Sequence, residues 1–369
     1  MKELRRLMQK YTNGILILLS ALCISSTVFS QTSVFPTSIG VRYHNGFIVQ
    51  HKQDMDPLVT AHIPAIELFY RYNFSGVKEW EKFYNYPHAG LAIQWLNFRN
   101  SKMGQAWSAL PYMSFPLRKG KLTEWHFRTS VGIGYLTGKF NLDENRKNIA
   151  ISTGFNAAIQ FNLQAHWHLF REAELLTSVS FSHFSNGAFK EPNAGINIAG
   201  INAGLNINLG KPVRVNHNSF PILERKIRWL GTVSGFPKAT KPVEGPKFMA
   251  WTFSFSGLKR FTGKSSLGGS FDFMYDASLS SRARQTFSEI KTPVRMGITL
   301  AYELHVGRIT VPIQQGFYLI NPIKQDGFVY QRIGIRYHVT HRWIAQCLIK
   351  AHMTSADYVE LGFGYFINR

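Results

Sequence analysis

The chain has two cysteines in 369 residues. Cys23 lies inside an N-terminal apolar run, so Cys347 stands alone in the remainder. That excludes an intrachain disulfide and a cysteine-built metal site. A lipid-modified Cys23 needs a small residue before it, and Leu22 is there instead. Long apolar runs are also missing. No stretch reaches about 18 consecutive apolar residues, which excludes a helical membrane span. Acidic residues are few, 21 against 42 basic ones, for a formal net charge of +21. No HExxH, CxxC or GxSxG element occurs. The GKS at Gly263–Ser265 is one residue too far from Gly257 for a phosphate loop and has no helical pattern after it, so it reads as a turn. His166 and His168 share a face with no third ligand at useful spacing, so they read as a rim histidine pair. The expectation is a protein with no metal and no cofactor.

What is present begins with Lys2, Arg5, Arg6 and Lys10, then an apolar run from Ile15 to Ile24, then SSTVFSQ. A basic start, a short apolar region and a small-residue flank describe a secretory signal peptide over residues 1–30. Removing those residues takes away four basic groups and one acidic group and leaves +18. Such an excess suits a polyanion. Export argues against nucleic acid and for phosphorylated lipids at a cell surface. ERKIR (Glu224 to Arg228) reads as a solvated face.

The architecture follows from a period of two. From Ile149 the chain reads IAISTGFNAAIQFNLQA, with Ile149, Ile151, Phe155, Ala157, Ile159, Phe161 and Leu163 on one parity. Ser152, Asn156, Gln160, Asn162 and Gln164 take the other. The same alternation recurs at Phe127–Tyr135, Leu175–Phe181, Ile201–Leu209, Met296–Tyr302 and Val359–Ile367. One face is apolar, and the other is polar but mostly uncharged. A membrane β-barrel has this pattern, with lipid outside and a wet lumen inside. Aromatic residues make up 14% of the chain and cluster near segment ends, as in EWEKFYNYP, where girdles would sit.

Turn signals divide the mature chain into about 16 strands, with about 14 as the alternative. The expectation is an all-β, outer-membrane antiparallel barrel, a single one over residues 31–369. Long links at 50–61, 137–148, 185–193, 236–246 and 276–292 would lie outside the cell. The C-terminal YVELGFGYFINR resembles the last-strand signal read by the outer-membrane assembly machinery, though it ends on Asn368 and Arg369.

One strand end carries chemistry. Leu175, Thr177, Val179 and Phe181 share the lipid parity, and the same parity continues to His183 and Ser185. An ionisable ring on that side is costly and points to function. Two positions apart, the residues share a face about 6.5–7 Å apart, so His183 is in range to serve as base to a Ser185 nucleophile. The alternation of Ile201–Leu209, extended backwards, turns Asn197 the same way, where it would orient the imidazole. Asn186 would offer its amide N–H to an oxyanion. Gly187, Pro192 and Gly195 shape the intervening loop. Periodicity alone leaves two readings open: this esterase constellation, or polar residues at a headgroup-level rim.

SHFSNGAFKEPNAGIN resembles the signature of the PagL-type lipid A 3-O-deacylase family, also called acyloxyacyl hydrolases. The shared pattern is H-x-S-N, a spacer, then P-N-x-G, here His183, Ser185, Asn186, Pro192, Asn193 and Gly195. GIGYLTGKFNLDENRKNIAISTGFNAAIQ (Gly132–Gln160) resembles its bacteroidete branch, and the resemblance covers residues 125–210. It implies an outer-membrane barrel that removes an ester-linked acyl chain from lipid A of lipopolysaccharide. The triad would face the outer leaflet, with His183 as base, Ser185 as nucleophile and Asn186 in the oxyanion hole. The best-known members carry a glutamate where this chain has Asn197; Glu191 is another carboxylate nearby in sequence. The chain is about twice as long as an eight-stranded member needs, and the part beyond about residue 211 has no legible role. The rival is a non-catalytic barrel: porin-like, structural or a pseudoenzyme.

Overall fold

The computed structural model describes residues 33–120, 122–216, 225–239, 245–285, 293–353 and 355–368. The expected signal peptide, with Cys23, lies outside the described residues, as does Glu224 of the basic run.

Alternation builds the strands. In KFMAWTFSFSGLKR (Lys247–Arg260), Met249, Trp251, Phe253 and Phe255 are exposed, while Ala250, Thr252, Ser254 and Ser256 are buried. An apolar exterior around a polar interior is the arrangement of a membrane barrel.

The strands are β1 (Ser33–Val34), β2 (Thr37–Ile48), β3 (Ile63–Asn73), β4 (His88–Asn97), β5 (Gln105–Lys119), β6 (Thr123–Leu136), β7 (Phe155–His168), β8 (Ala173–Ser185) and β9 (Ile196–Leu209). The chain continues through β10 (Val213–Arg214), β11 (Ile227–Ala239), β12 (Lys247–Arg260), β13 (Ser265–Asp276), β14 (Val294–Val306), β15 (Ile309–Ile320), β16 (Val329–His338), β17 (Trp343–His352) and β18 (Ser355–Phe366). All neighbours pair antiparallel, and among the described residues β1 pairs only with β10.

The sixteen long strands do not make one barrel. β9 returns to β2, from Thr37↔Leu209 to Ile48↔Ile198, and closes an eight-stranded barrel. β18 returns to β11, from Leu230↔Phe366 to Gly235↔Leu361, and closes a second. The expected single barrel of about 16 strands over residues 31–369 is therefore corrected to two barrels of eight. Alternation assigns each residue a face, but it carries no information about which strand closes the sheet.

The interiors correct a second expectation, the wet lumen. Eight strands leave a space that side chains fill. In the first barrel Glu67, fully buried, accepts from Arg128 Nη1 at 2.7 Å and faces Arg42 and His44. Arg71 meets Glu174 at 3.0 Å. His166, read from the sequence as half of a rim pair, is buried and stacked on His126 at 4.1 Å, whereas His168 is exposed. In the second barrel Asp272 takes both Arg332 and the Tyr330 hydroxyl at 2.6 Å, and Arg336 pairs with Glu303.

One end of the first barrel gathers the links 49–62, 98–104, 137–154 and 186–195. Their apolar residues, including Met55, Leu58, Phe98, Met103, Ala150 and Ile151, form a cap over Phe184, Ile196 and Ile198. Residues 149–154, which alternate like a strand, belong to this cap; the β7 ladder begins only at Phe155. At the opposite end a short helix, Glu79–Phe83, brings Trp80 against Gly307 and Phe83 against Gly263 of the second barrel.

Candidate active site

β8 and β9 pair with His183 directly opposite Asn197. Ser185 is the last residue of β8 and pairs with Ala157 of β7. Phe184, Ile196 and Ile198 are buried inward, and His183, Ser185 and Asn197 take the opposite, outward parity at half-buried positions. They continue the face of Val179, Phe181 and Ile201, all exposed.

Across the ladder His183 Nδ1 lies 2.6 Å from Asn197 Oδ1. The Asn197 amide nitrogen lies 3.2 Å from His51 Nδ1, and His51 Nε2 lies 2.9 Å from the carbonyl of Ala194. Gly195 follows at φ +81°, and a Cβ there would stand 2.9 Å from His183 Cε1. Glycine is required both by that backbone and by the ring packed against it.

Ser185 Oγ accepts from Asn193 Nδ2 at 2.9 Å and from the Gly187 N–H at 3.2 Å. Among the described residues no hydrogen bond joins Ser185 to His183. The Asn186 N–H is occupied by Asn193 Oδ1 at 3.1 Å. Its side chain ties the loop together, donating to Ser152 Oγ at 3.1 Å and to the Lys190 carbonyl at 2.8 Å while accepting from the Phe189 N–H at 3.1 Å. Glu191 accepts from the Asn193 N–H at 3.2 Å, ahead of Pro192, and meets no bond to His183 among the described residues.

The second barrel braces this loop. The Ala239 N–H donates to the Ala188 carbonyl at 3.1 Å, the rings of Phe189 and Phe236 lie 5.7 Å apart, and Lys247 Nζ stands 3.4 Å over the Phe189 ring. Gly187 has φ +65°, and a Cβ there would come within 2.5 Å of Val359 Cγ2.

The family model for lipid A 3-O-deacylase (PagL) matches residues 65–206, and the model for the acyloxyacyl hydrolase C-terminal domain matches residues 227–369. The chain belongs to the PagL-type lipid A deacylase and acyloxyacyl hydrolase family. The first match runs from β3 into β9, and the second spans β11–β18, so each barrel carries one family domain. The half without a legible role is thereby a family domain in its own right. No curated protein matches the chain. Solved structures similar to it include Neisserial surface protein A, with a TM-score of 0.34 and 7% identity over 48% of this chain and 100% of that one. A triple mutant of the Rhodopseudomonas blastica porin has a TM-score of 0.18 and 8% identity over 90% and 99%. Acinetobacter baumannii Omp33 has 0.17 and 6% over the same shares.

Sequence reasoning brought His183, Ser185, Asn186, Pro192, Asn193, Gly195 and Asn197 into one neighbourhood, and the structure places them there. It missed His51, Ser152 and the contacts from Phe236, Ala239, Lys247 and Val359. Val49 N–H donates to the Asn197 carbonyl at 2.8 Å, so the chain leaving β2 runs beside the start of β9. Only the closure of β9 on β2 makes His51 a neighbour of the site.

Proposed function

We propose that this PagL-type protein is an outer-membrane serine esterase that removes an ester-linked acyl chain from lipid A or a related acylated lipid. The observation that carries the reading is the 2.6 Å contact between His183 Nδ1 and Asn197 Oδ1 on the outward face, two residues from Ser185. An imidazole held through Nδ1 leaves Nε2 for proton transfer.

In this reading Ser185 Oγ attacks the ester carbonyl and His183 Nε2 takes its proton. The tetrahedral oxyanion is stabilised by the donors already closest to Ser185, the Gly187 N–H and Asn193 Nδ2. Asn186 holds the loop that positions them; its own N–H reaches an oxyanion only if Asn193 releases it. Collapse expels the sugar hydroxyl, protonated by His183, and leaves an acyl-Ser185 ester. Water, deprotonated by His183, then releases the fatty acid. The Ser185–His183 hydrogen bond forms when substrate draws the hydroxyl away from Asn193, as catalytic bonds often tighten only in the complex. The site faces the outer leaflet, and the positive charge of the chain favours phosphorylated headgroups.

A second reading rests on Asn197. An amide supplies no charge to the imidazolium, which favours a non-catalytic family member. Purified protein with lipopolysaccharide in detergent separates the two. The esterase reading expects fatty acid release that falls by about 10³-fold or more in Ser185→Ala. No release from the unaltered protein would favour the non-catalytic reading.

A further inference from the structure

His51 lies outside the strands, at an exposed position, and no motif points to it. Its contacts form a chain that begins at a group whose polarity is fixed. The Ala194 carbonyl only accepts hydrogen bonds, so His51 Nε2, 2.9 Å away, must carry a hydrogen. A neutral imidazole protonated there has a bare Nδ1 that only accepts. That nitrogen lies 3.2 Å from the Asn197 amide and therefore takes its NH₂ end. The amide oxygen is left facing His183 Nδ1 at 2.6 Å, and an oxygen at that distance requires a hydrogen on Nδ1. The lone pair of His183 then sits on Nε2.

We infer that His51 is a positioning residue: it fixes the orientation of the Asn197 amide and thereby holds His183 in the tautomer with hydrogen on Nδ1. Without His51, Asn197 is free to turn its NH₂ toward His183. A bare Nδ1 then accepts from it, the ring hydrogen moves to Nε2, and the nitrogen meant to receive a proton already carries one. A carboxylate at position 197 needs no such partner, since both of its oxygens accept. An asparagine has two different ends and needs a neighbour to choose between them. His51 makes that choice, and it does so from the backbone carbonyl two residues before the start of β9.

The consequence for rate rests on the esterase reading, whereas the tautomer does not. The test uses the full chain in detergent, labelled with ¹⁵N-histidine, with the His183 signals identified by their loss in His183→Gln. The expected result is a protonated Nδ1 and a bare Nε2 in the unaltered protein. In His51→Ala the two forms mix, and adding Asn197→Asp restores the first. An unchanged His183 tautomer in His51→Ala overturns the inference. The kinetic arm expects His51→Ala to lower kcat about tenfold with KM within about twofold, and to cost less than about twofold once Asn197→Asp is present. Equal losses in both backgrounds would mean that His51 merely holds the loop through Ala194, and would also overturn it. Absence of hydrolysis in the unaltered protein would sink the esterase reading alone, because the spectrum still decides the role of His51. Its exposed position outside the strands leaves the barrel intact, and the heat-dependent gel shift of a folded barrel verifies this.

Discussion

Asn197 gives the His183 ring a hydrogen bond but no charge. In a triad the third member both orients the imidazole and stabilises its protonated form, and an amide supplies only the first. Asn197→Asp is therefore expected to raise kcat by about tenfold or more, with KM nearly unchanged, in an assay of fatty acid release from lipopolysaccharide. The sign matters: replacement of a site residue usually lowers the rate, and here the account predicts a gain. The candidate site residues were legible because a histidine and a serine on a lipid-side parity are costly without a purpose. His51 was not legible, because nothing in its own neighbourhood marks it. It becomes visible only once β2 and β9 are known to pair.

The link between β8 and β9 is held by its own polar side chains. Among the described residues no hydrogen bond joins the Asn186 side chain to Ser185; it fastens residues 189–190 and Ser152 so that Gly187 and Asn193 stay near the Ser185 hydroxyl. Asn186→Ala is expected to lower kcat by about tenfold or more while leaving the unfolding midpoint of the barrel within a few degrees, read by turnover and by thermal unfolding. The sixteen long strands match the number read from the turn signals, because alternation is set residue by residue. Residues 149–154 alternate equally well yet sit in the apolar cap, where Ala150 and Ile151 are buried beneath the loops. Period two in the sequence does not by itself make a strand: Ala150, Ile151 and Ser152 are buried in succession there.

Closure belongs to the whole molecule. Eight strands or sixteen alternate identically, so the sequence pattern left this open; the interior residues decide what closure encloses. Glu67 balances Arg42 and Arg128 inside the first barrel. Glu67→Ala leaves two buried guanidinium groups unpaired and is expected to destabilise that barrel by about 3–5 kcal/mol. Because no long strand pairs between the barrels among the described residues, the second should keep its own transition. Denaturant unfolding followed by fluorescence should then separate into two steps, the earlier one from the first barrel. A single shifted step would mean that the barrels unfold as one unit. The second barrel also braces the Gly187–Phe189 segment, which gives the C-terminal family domain a structural link to the candidate site.

The central claim is that Ser185 removes an acyl chain from a lipid of the outer membrane. Mass spectrometry of lipid A from cells producing the unaltered protein, the Ser185→Ala variant or neither tests it most directly. The account predicts a species lighter by one acyl chain only with the unaltered protein, at equal levels of folded barrel. Identical lipid A in all three, or the same loss with Ser185→Ala, would contradict it.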